Sequence, residues 1–195
     1  MKLIKRTAVL LCIIGLYGCA TLKQIGLSNC YDEGQNYIAN YESCLAPAEN
    51  GVAHAQYVLA YLYIGSGTAV DYKQAFKWNT KAAEQGHLNA QASLGWQYLK
   101  GHGVSQDYIQ AFKLLRNAAD RDNLSAQLHL GYMYEWGHGV NQDDVLAHMW
   151  YNIAASLGNE NAINKRMKIA KRMPYSELVK ATSMALEWMD KHPIK

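Results

Sequence analysis

The stretch Leu94-Gly95-Trp96-Gln97-Tyr98-Leu99-Lys100-Gly101-His102-Gly103-Val104 decides the fold, because the chain repeats it on either side. Three segments superpose around it: Ala55 to Gly86, Ala90 to Asp122, and Ala126 to Gly158. Ala75, Ala111 and Ala147 are 36 residues apart. So are the pairs Ala82-Ala83, Ala118-Ala119 and Ala154-Ala155, and the loops Gly65-Ser66-Gly67, Gly101-His102-Gly103 and Gly137-His138-Gly139. Leu59, Leu94 and Leu130 are 35 and 36 apart, so the first unit is one residue short just before its glycine loop.

Each unit reads as two antiparallel helices. Ala90, Leu94, Gly95 and Tyr98 share one face of a first helix, and its small residues let a neighbour approach closely. Gly-x-Gly ends that helix with residues free to take positive φ. Asp107 then stands where a cap or first-turn acid starts the second helix, with Ala111, Ala118 and Ala119 on its narrow packing face. One helix pair cannot bury both of its apolar faces, so the units must stack, which predicts an all-α solenoid.

With Ala, Leu-Gly, Tyr, Gly-x-Gly-Val, Asp, Ala, Trp and Ala-Ala in this order, residues 52–160 resemble three Sel1-like repeats, relatives of the tetratricopeptide repeats. The first unit departs from the pattern at Ala60 and Thr68, and the second has Leu114 where the others have Trp78 and Trp150. A half-repeat at 36–51 precedes them, since Ala48-Glu49-Asn50-Gly51 echoes Ala83-Glu84-Gln85-Gly86. Residues 161–195 open a fourth unit, break at Pro174 and finish in a helix from Glu177 to Lys191. Leu178, Ala181, Ala185, Trp188 and Met189 form the inner face of that helix, which resembles the closing helix of many family members.

The amino terminus reads as an address. Met-Lys-Leu-Ile-Lys-Arg precedes an apolar run from Ala8 to Tyr17 and then Gly18-Cys19. That run is too short to span a bilayer, which takes roughly 20 residues. Leu16-Tyr17-Gly18-Cys19 resembles the lipobox of bacterial lipoproteins, although Tyr17 stands where a small residue is usual. The resemblance implies a signal peptide at 1–18, a lipidated Cys19 opening a tether at 19–35, and a periplasmic protein on a lipid anchor. Ala20 in place of an Asp points to the outer membrane in a two-membrane cell.

The 195 residues are 50% hydrophobic and 18% charged, which excludes a disordered chain and allows one ordinary core. A net charge of +3 loses its meaning once 1–18 are removed, because Lys2, Lys5 and Arg6 leave with them and the remaining charges balance. The balance is uneven: residues 20–160 are mildly acidic and 161–195 basic. Lys165, Arg166, Lys168, Lys171 and Arg172 read either as a solvated helix face or as a contact with membrane phosphates. An exported chain has no nucleic acid to meet. Once Cys12 and Cys19 are set aside, Cys30 and Cys44 are the one intramolecular pair, and they read as a disulfide or as two separate thiols. Continuous helix would hold them about 21 Å apart, so a bond between them requires the chain to fold back near Gly34.

No Ser-x-x-Lys, His-Glu-x-x-His, Gly-x-Ser-x-Gly or phosphate loop is present, so no catalytic residue and no cofactor is expected. His102 and His138 recur one repeat apart, roughly 10 Å, too far to share a metal, and they read as satisfied or solvated loop residues. His129 and His148 lack acidic or Cys partners at ligand spacing. Some family members are linked to β-lactam hydrolysis or penicillin binding. Those carry a Cys pair in each repeat, and this chain has no Cys after Cys44.

A second face of the first helices carries Tyr57 and Tyr61, Ala92 and Trp96, Leu128 and Tyr132, extended by Ile64, Leu99 and Trp136. In tetratricopeptide relatives the corresponding concave side holds a peptide or a partner helix. Two readings stand: a protein-binding groove along Tyr57, Tyr61, Ala92, Trp96, Leu128, Tyr132 and Trp136, or rings closed onto one another as core. The groove reading gives an adaptor or scaffold for an envelope complex, or an inhibitor resembling the immunity lipoproteins that neutralise periplasmic toxins such as phospholipases. A β-lactam-binding hydrolase is the enzymatic alternative.

Overall fold

The computed structural model describes Cys30, residues 37–65 and residues 70–193. The signal peptide, Cys19, the fold-back near Gly34 and Ser66 to Thr68 of the first glycine loop lie outside the described residues. Among the described residues the chain is helical, with no strand: α1 (Tyr37–Glu49), α2 (Ala53–Gly65), α3 (Tyr72–Glu84), α4 (Leu88–Lys100), α5 (Tyr108–Ala119), α6 (Leu124–Trp136), α7 (Asp144–Ser156), α8 (Glu160–Ala170) and α9 (Tyr175–Lys191). Two compact units divide it, one ending at Ala82 and one beginning at Ala83.

In the first unit α1 packs on α2. Cys44, Ala48, Ala55, Leu59, Ala60, Ala75 and Trp78 form its core together with Cys30. Cys30 is bonded to Cys44, with Cα atoms 4.9 Å apart. Tyr41 and Tyr63 meet edge to face, and their hydroxyls are 2.8 Å apart. Asp71 starts α3: its carboxylate accepts from the amides of Lys73 and Gln74.

In the second unit α4 pairs with α5 and α6 with α7, and each pair packs on the next. Asp107 and Asp143 cap α5 and α7, each carboxylate accepting first-turn amides, which satisfies donors that a helix start leaves unpaired. First helices are capped at the same spacing by His87, Asn123 and Asn159, whose side chains accept from Ala90, Ala126 and Ala162. Gly101 and Gly137 end α4 and α6 with φ of 72° and 66°, where a β-carbon would be strained. Gln106 and Gln142 then reach back from the loops, each amide nitrogen donating to the carbonyl of Leu99 or Glu135 in the last turn of the helix.

The Leu-Gly pairs explain the closeness of packing. A β-carbon on Gly95 would stand 2.7 Å from Leu115 Cγ, so the side chain of α5 occupies the space that only glycine leaves on α4. The first repeat has Ala60 at this position and buried Asn79 at the place of Leu115 and Tyr151, so the larger residue on the first helix goes with a smaller one on the second. Leu115, Leu130, Met133, Trp150 and Ile153 fill the core, and α9 closes it with buried Ala185 and with Trp188, whose ring centroid is 5.8 Å from that of Trp150. Pro174 stands at the N-terminal end of α9, where its missing amide hydrogen removes no helix bond.

Candidate protein-binding face

In the second unit the first helices stand side by side. Asn123 on the approach to α6 donates to Asn89 of α4 at 2.7 Å, and Lys165 of α8 reaches Glu135 of α6. Rows spaced by four residues do not run straight along such helices. At 3.6 residues per turn each step rotates by about 40°, so a row begins inside and ends outside. Ala92 is 3% exposed and belongs to the core, Trp96 is half-buried, and Lys100 is exposed. Leu128 packs against Ala154, Ala155 and Ala162, Tyr132 is half-buried, and Trp136 is 54% exposed. In the first unit the half-buried Tyr57 leads to Tyr61, which is 52% exposed.

Four residues expected on the face therefore leave it: Ala92 and Leu128 are packing residues turned inward by this rotation, Leu99 is buried in the second unit's core, and Ile64 packs on the core of the first. Trp96, Tyr132 and Trp136 remain, gathered in one unit, whereas Tyr57 and Tyr61 belong to the other. The rings of Tyr132 and Trp136 are 6.4 Å apart and tilted.

The glycine loops fold back onto these aromatics. His102 packs edge-on against Trp96, with centroids 4.6 Å apart, and His138, at the same place one repeat later, lies 5.5 Å from Tyr132. His138 also stacks on Tyr108 of the preceding repeat at 4.6 Å. This stacking is possible because Gly139 carries no β-carbon: one would come within 2.7 Å of the Tyr108 carbonyl oxygen. The recurrent histidines are thus the rim of the aromatic face, and the signal that points to it is the recurrence of a loop histidine six residues after Trp96 and Tyr132.

Positive charge is built into the same place. Lys100 holds its ammonium 4.3 Å from the centre of the Tyr132 ring and donates to the Tyr132 hydroxyl at 3.3 Å. The Lys165 ammonium is 5.8 Å from the same ring. Burial, with the Lys100 charge adding to it, pushes the His129 imidazole down to about 4, and the same two causes lower His138. Both rings are therefore neutral near pH 7, which leaves the lysines as the cations.

Beneath the face, Tyr151 donates to Glu135 Oε2 at 2.7 Å, and Glu135 is only 2% exposed. Burial first and this carboxylate second push the Tyr151 phenol up. The basic segment is less free than a solvated helix face. Lys165 stands 3.8 Å from Glu135, Arg166 donates to Asn152, and Arg172 grips Asp144 with two hydrogen bonds of 2.7 Å, because α8 and the turn after it lie on α7. Among the described residues no three His, Cys, Asp or Glu side chains gather as a metal site, and no helix is long and apolar enough to cross a membrane. The face offers an indole edge, phenols and ammonium groups, which can exclude water and donate hydrogen bonds to a partner's oxygens.

The family model described as the Sel1 repeat matches residues 53–87, 88–123 and 124–159, together more than half of the chain, and each match holds one helix pair. The crystal structure of c5321, a protective antigen present in uropathogenic Escherichia coli strains displaying an SLR fold, is similar at 31% identity with a TM-score of 0.76. The likeness covers 86% of this chain and 37% of that one, so the present chain spans little more than a third of the length of c5321. A Sel1 repeat protein from Oxalobacter formigenes is similar at 37% identity and a TM-score of 0.54, covering 65% of this chain and 96% of that one. No curated protein matches the chain.

Proposed function

Because the chain belongs to the Sel1 repeat family, whose members generally mediate protein–protein interaction, we propose that it is a binding module with no catalysis of its own. Its partner docks on the face formed by Trp96, Tyr132 and Trp136. The observation that carries this reading is Trp136: a large indole more than half exposed, beside a second aromatic ring, at the outer end of a repeat row. Packing within the second unit does not require it, and such rings are the commonest anchors of protein interfaces.

The place of action follows from the amino terminus. Export and lipidation at Cys19 would hold the module at the periplasmic side of a membrane, the outer one by virtue of Ala20, where an adaptor for an envelope complex or an inhibitor of an exported toxin would work. The basic start, the short apolar run and Gly18-Cys19 support this reading.

Two variants test the two halves. Cys19→Ser should move the protein from the membrane fraction to the soluble periplasm, and its persistence in the membrane would overturn lipid anchoring. Trp96→Ala with Tyr132→Ala should abolish co-purification of one stoichiometric partner from envelope extract while leaving helical circular dichroism intact. Retention of that partner by the folded double variant would overturn the face as the docking site. The identity of the partner then separates adaptor from toxin inhibitor.

A further inference from the structure

Resting on the binding reading above, we infer that the partner segment received by this face is an acidic peptide, whose carboxylates pair with Lys100 beside the Tyr132 ring and with Lys168 at the next repeat position, while a neighbouring apolar side chain lies on Trp136.

The charges of the second unit are sorted by element. Several of its carboxylates are engaged within the fold: Asp107 and Asp143 cap helices, Asp120 pairs with Arg116, Asp144 with Arg172, and Glu187 with Lys191. Along the first helices α4, α6 and α8 there are two acids. Glu135 is buried and accepts from Tyr151, and Glu160 is the first residue of α8, more than a turn before Lys165. The cations of these helices are sorted the other way. Lys100 and Lys168 are exposed and have no carboxylate within 4 Å among the described residues. Lys168 holds in α8 the repeat position that Trp96 and Tyr132 hold in α4 and α6.

The geometry suits a carboxylate. Lys100 lies 4.3 Å from the centre of the Tyr132 ring and donates to its hydroxyl, so a carboxylate at the ring's edge meets an exposed ammonium that no acid among the described residues holds, whereas Lys165, 5.8 Å from the ring, already stands 3.8 Å from Glu135. An ammonium held against an aromatic face keeps its charge while losing part of its water, so pairing with an anion costs it less desolvation. Trp136, more than half exposed and with its ring 6.4 Å from that of Tyr132, lies beside the position, which favours a segment that combines acidic with aromatic or aliphatic residues over one that is acidic alone.

The test is selection of a random twelve-residue peptide library displayed on phage, using the full chain carrying Cys19→Ser, purified in detergent. Enriched peptides should be net negative and contain an aromatic or aliphatic residue. Their affinity should fall at least tenfold with Lys100→Glu and with a rise from 50 to 500 mM salt, and Lys100→Glu with Lys168→Glu should select basic peptides instead. Both lysines are exposed, so the fold is not at stake, and unchanged circular dichroism checks this. Neutral or basic peptides that are lost with Trp136→Ala would overturn the acidic partner and leave the docking face standing. No enrichment, or enrichment indifferent to Trp136→Ala, would overturn both. Lys100-dependent capture of phosphatidylglycerol vesicles without any enriched peptide would replace the peptide by a membrane surface and overturn the inference.

Discussion

A β-carbon placed on Gly131 would stand 2.6 Å from Cδ1 and Cε1 of Tyr151, a separation that neither residue can relieve cheaply. The ring is buried, and its hydroxyl is held by Glu135 at 2.7 Å, so moving it breaks a hydrogen bond to a buried carboxylate. Replacing a mid-helix glycine by alanine gains about 1 kcal/mol of helix propensity. Overpacking of this kind costs about 1–3 kcal/mol, and the lost hydrogen bond adds to it. Gly131→Ala should therefore lower stability by about 1–2 kcal/mol, read as a lower thermal midpoint. Gly65→Ala is the control, since among the described residues a β-carbon there meets Tyr61 Cε1 at 4.0 Å and should leave the midpoint unchanged or raise it. A Gly131→Ala midpoint at or above wild type would show that α6 and α7 separate without cost.

Acid should weaken the fold through its histidines. His129 titrates at about 4 in the fold and near 6.5 when unfolded, so between these values only the unfolded chain takes up the proton. The stability it contributes is complete above pH 6.5 and is lost as the pH falls toward 4, by about 3 kcal/mol over that window. Burial lowers His54, His138 and His148 as well, and each acts with the same sign. Urea melts at pH 7.5, 5.5 and 4.5 should show a falling midpoint, with a shallower fall in His129→Asn. Parallel slopes in the two proteins would remove His129 as the cause.

Reducing the bond between Cys30 and Cys44 should loosen the first unit alone. The two residues are 14 apart, and closing a loop of this size contributes about 3 kcal/mol in the chain-entropy account. Hydrogen exchange with and without dithiothreitol should show lost protection in α1 and α2 and unchanged protection in α6 and α7. Protection of α1 that is indifferent to the reductant would place its stability in the apolar contacts of Ala48, Leu59 and Trp78 instead.

The packing of the repeats is legible in the sequence because it rests on residues with unusual steric demands. Gly95, Gly131 and the recurring alanines stand where backbones approach closely, and small residues at fixed spacing signal close approach and little else. Polar positions are harder to read. His87, Asn123 and Asn159 cap the first helices, and Gln106 and Gln142 tie down the loops, yet a lone Asn or Gln is common on any surface; only the 36-residue spacing sets these apart. The exposed half of the aromatic rows is legible as positions. Their inner half is not, because Ala92 and Leu128 share a row with Trp96 and Tyr132 and differ from them by a rotation that spacing by four conceals. Lys100 is hidden for a related reason: it stands at the place of Trp136, and a match between lysine and tryptophan is visible only as a shared position.

The shared register of Gly95 with Leu115 and of Gly131 with Tyr151 makes the length of this protein a stepped variable. Excising Tyr108 through Asp143 joins Asp107 to Asp144, and Gly95 then faces the Tyr151 ring as Gly131 does now, with a cap, a loop glutamine and a left-handed glycine kept, while Leu99 takes the place of Glu135 and the Tyr151 hydroxyl loses its acceptor. Duplicating the same segment works in reverse. Size therefore changes by whole 36-residue quanta, and this one carries both Tyr132 and Trp136 with the His138 rim, so the footprint on a partner grows in discrete bites.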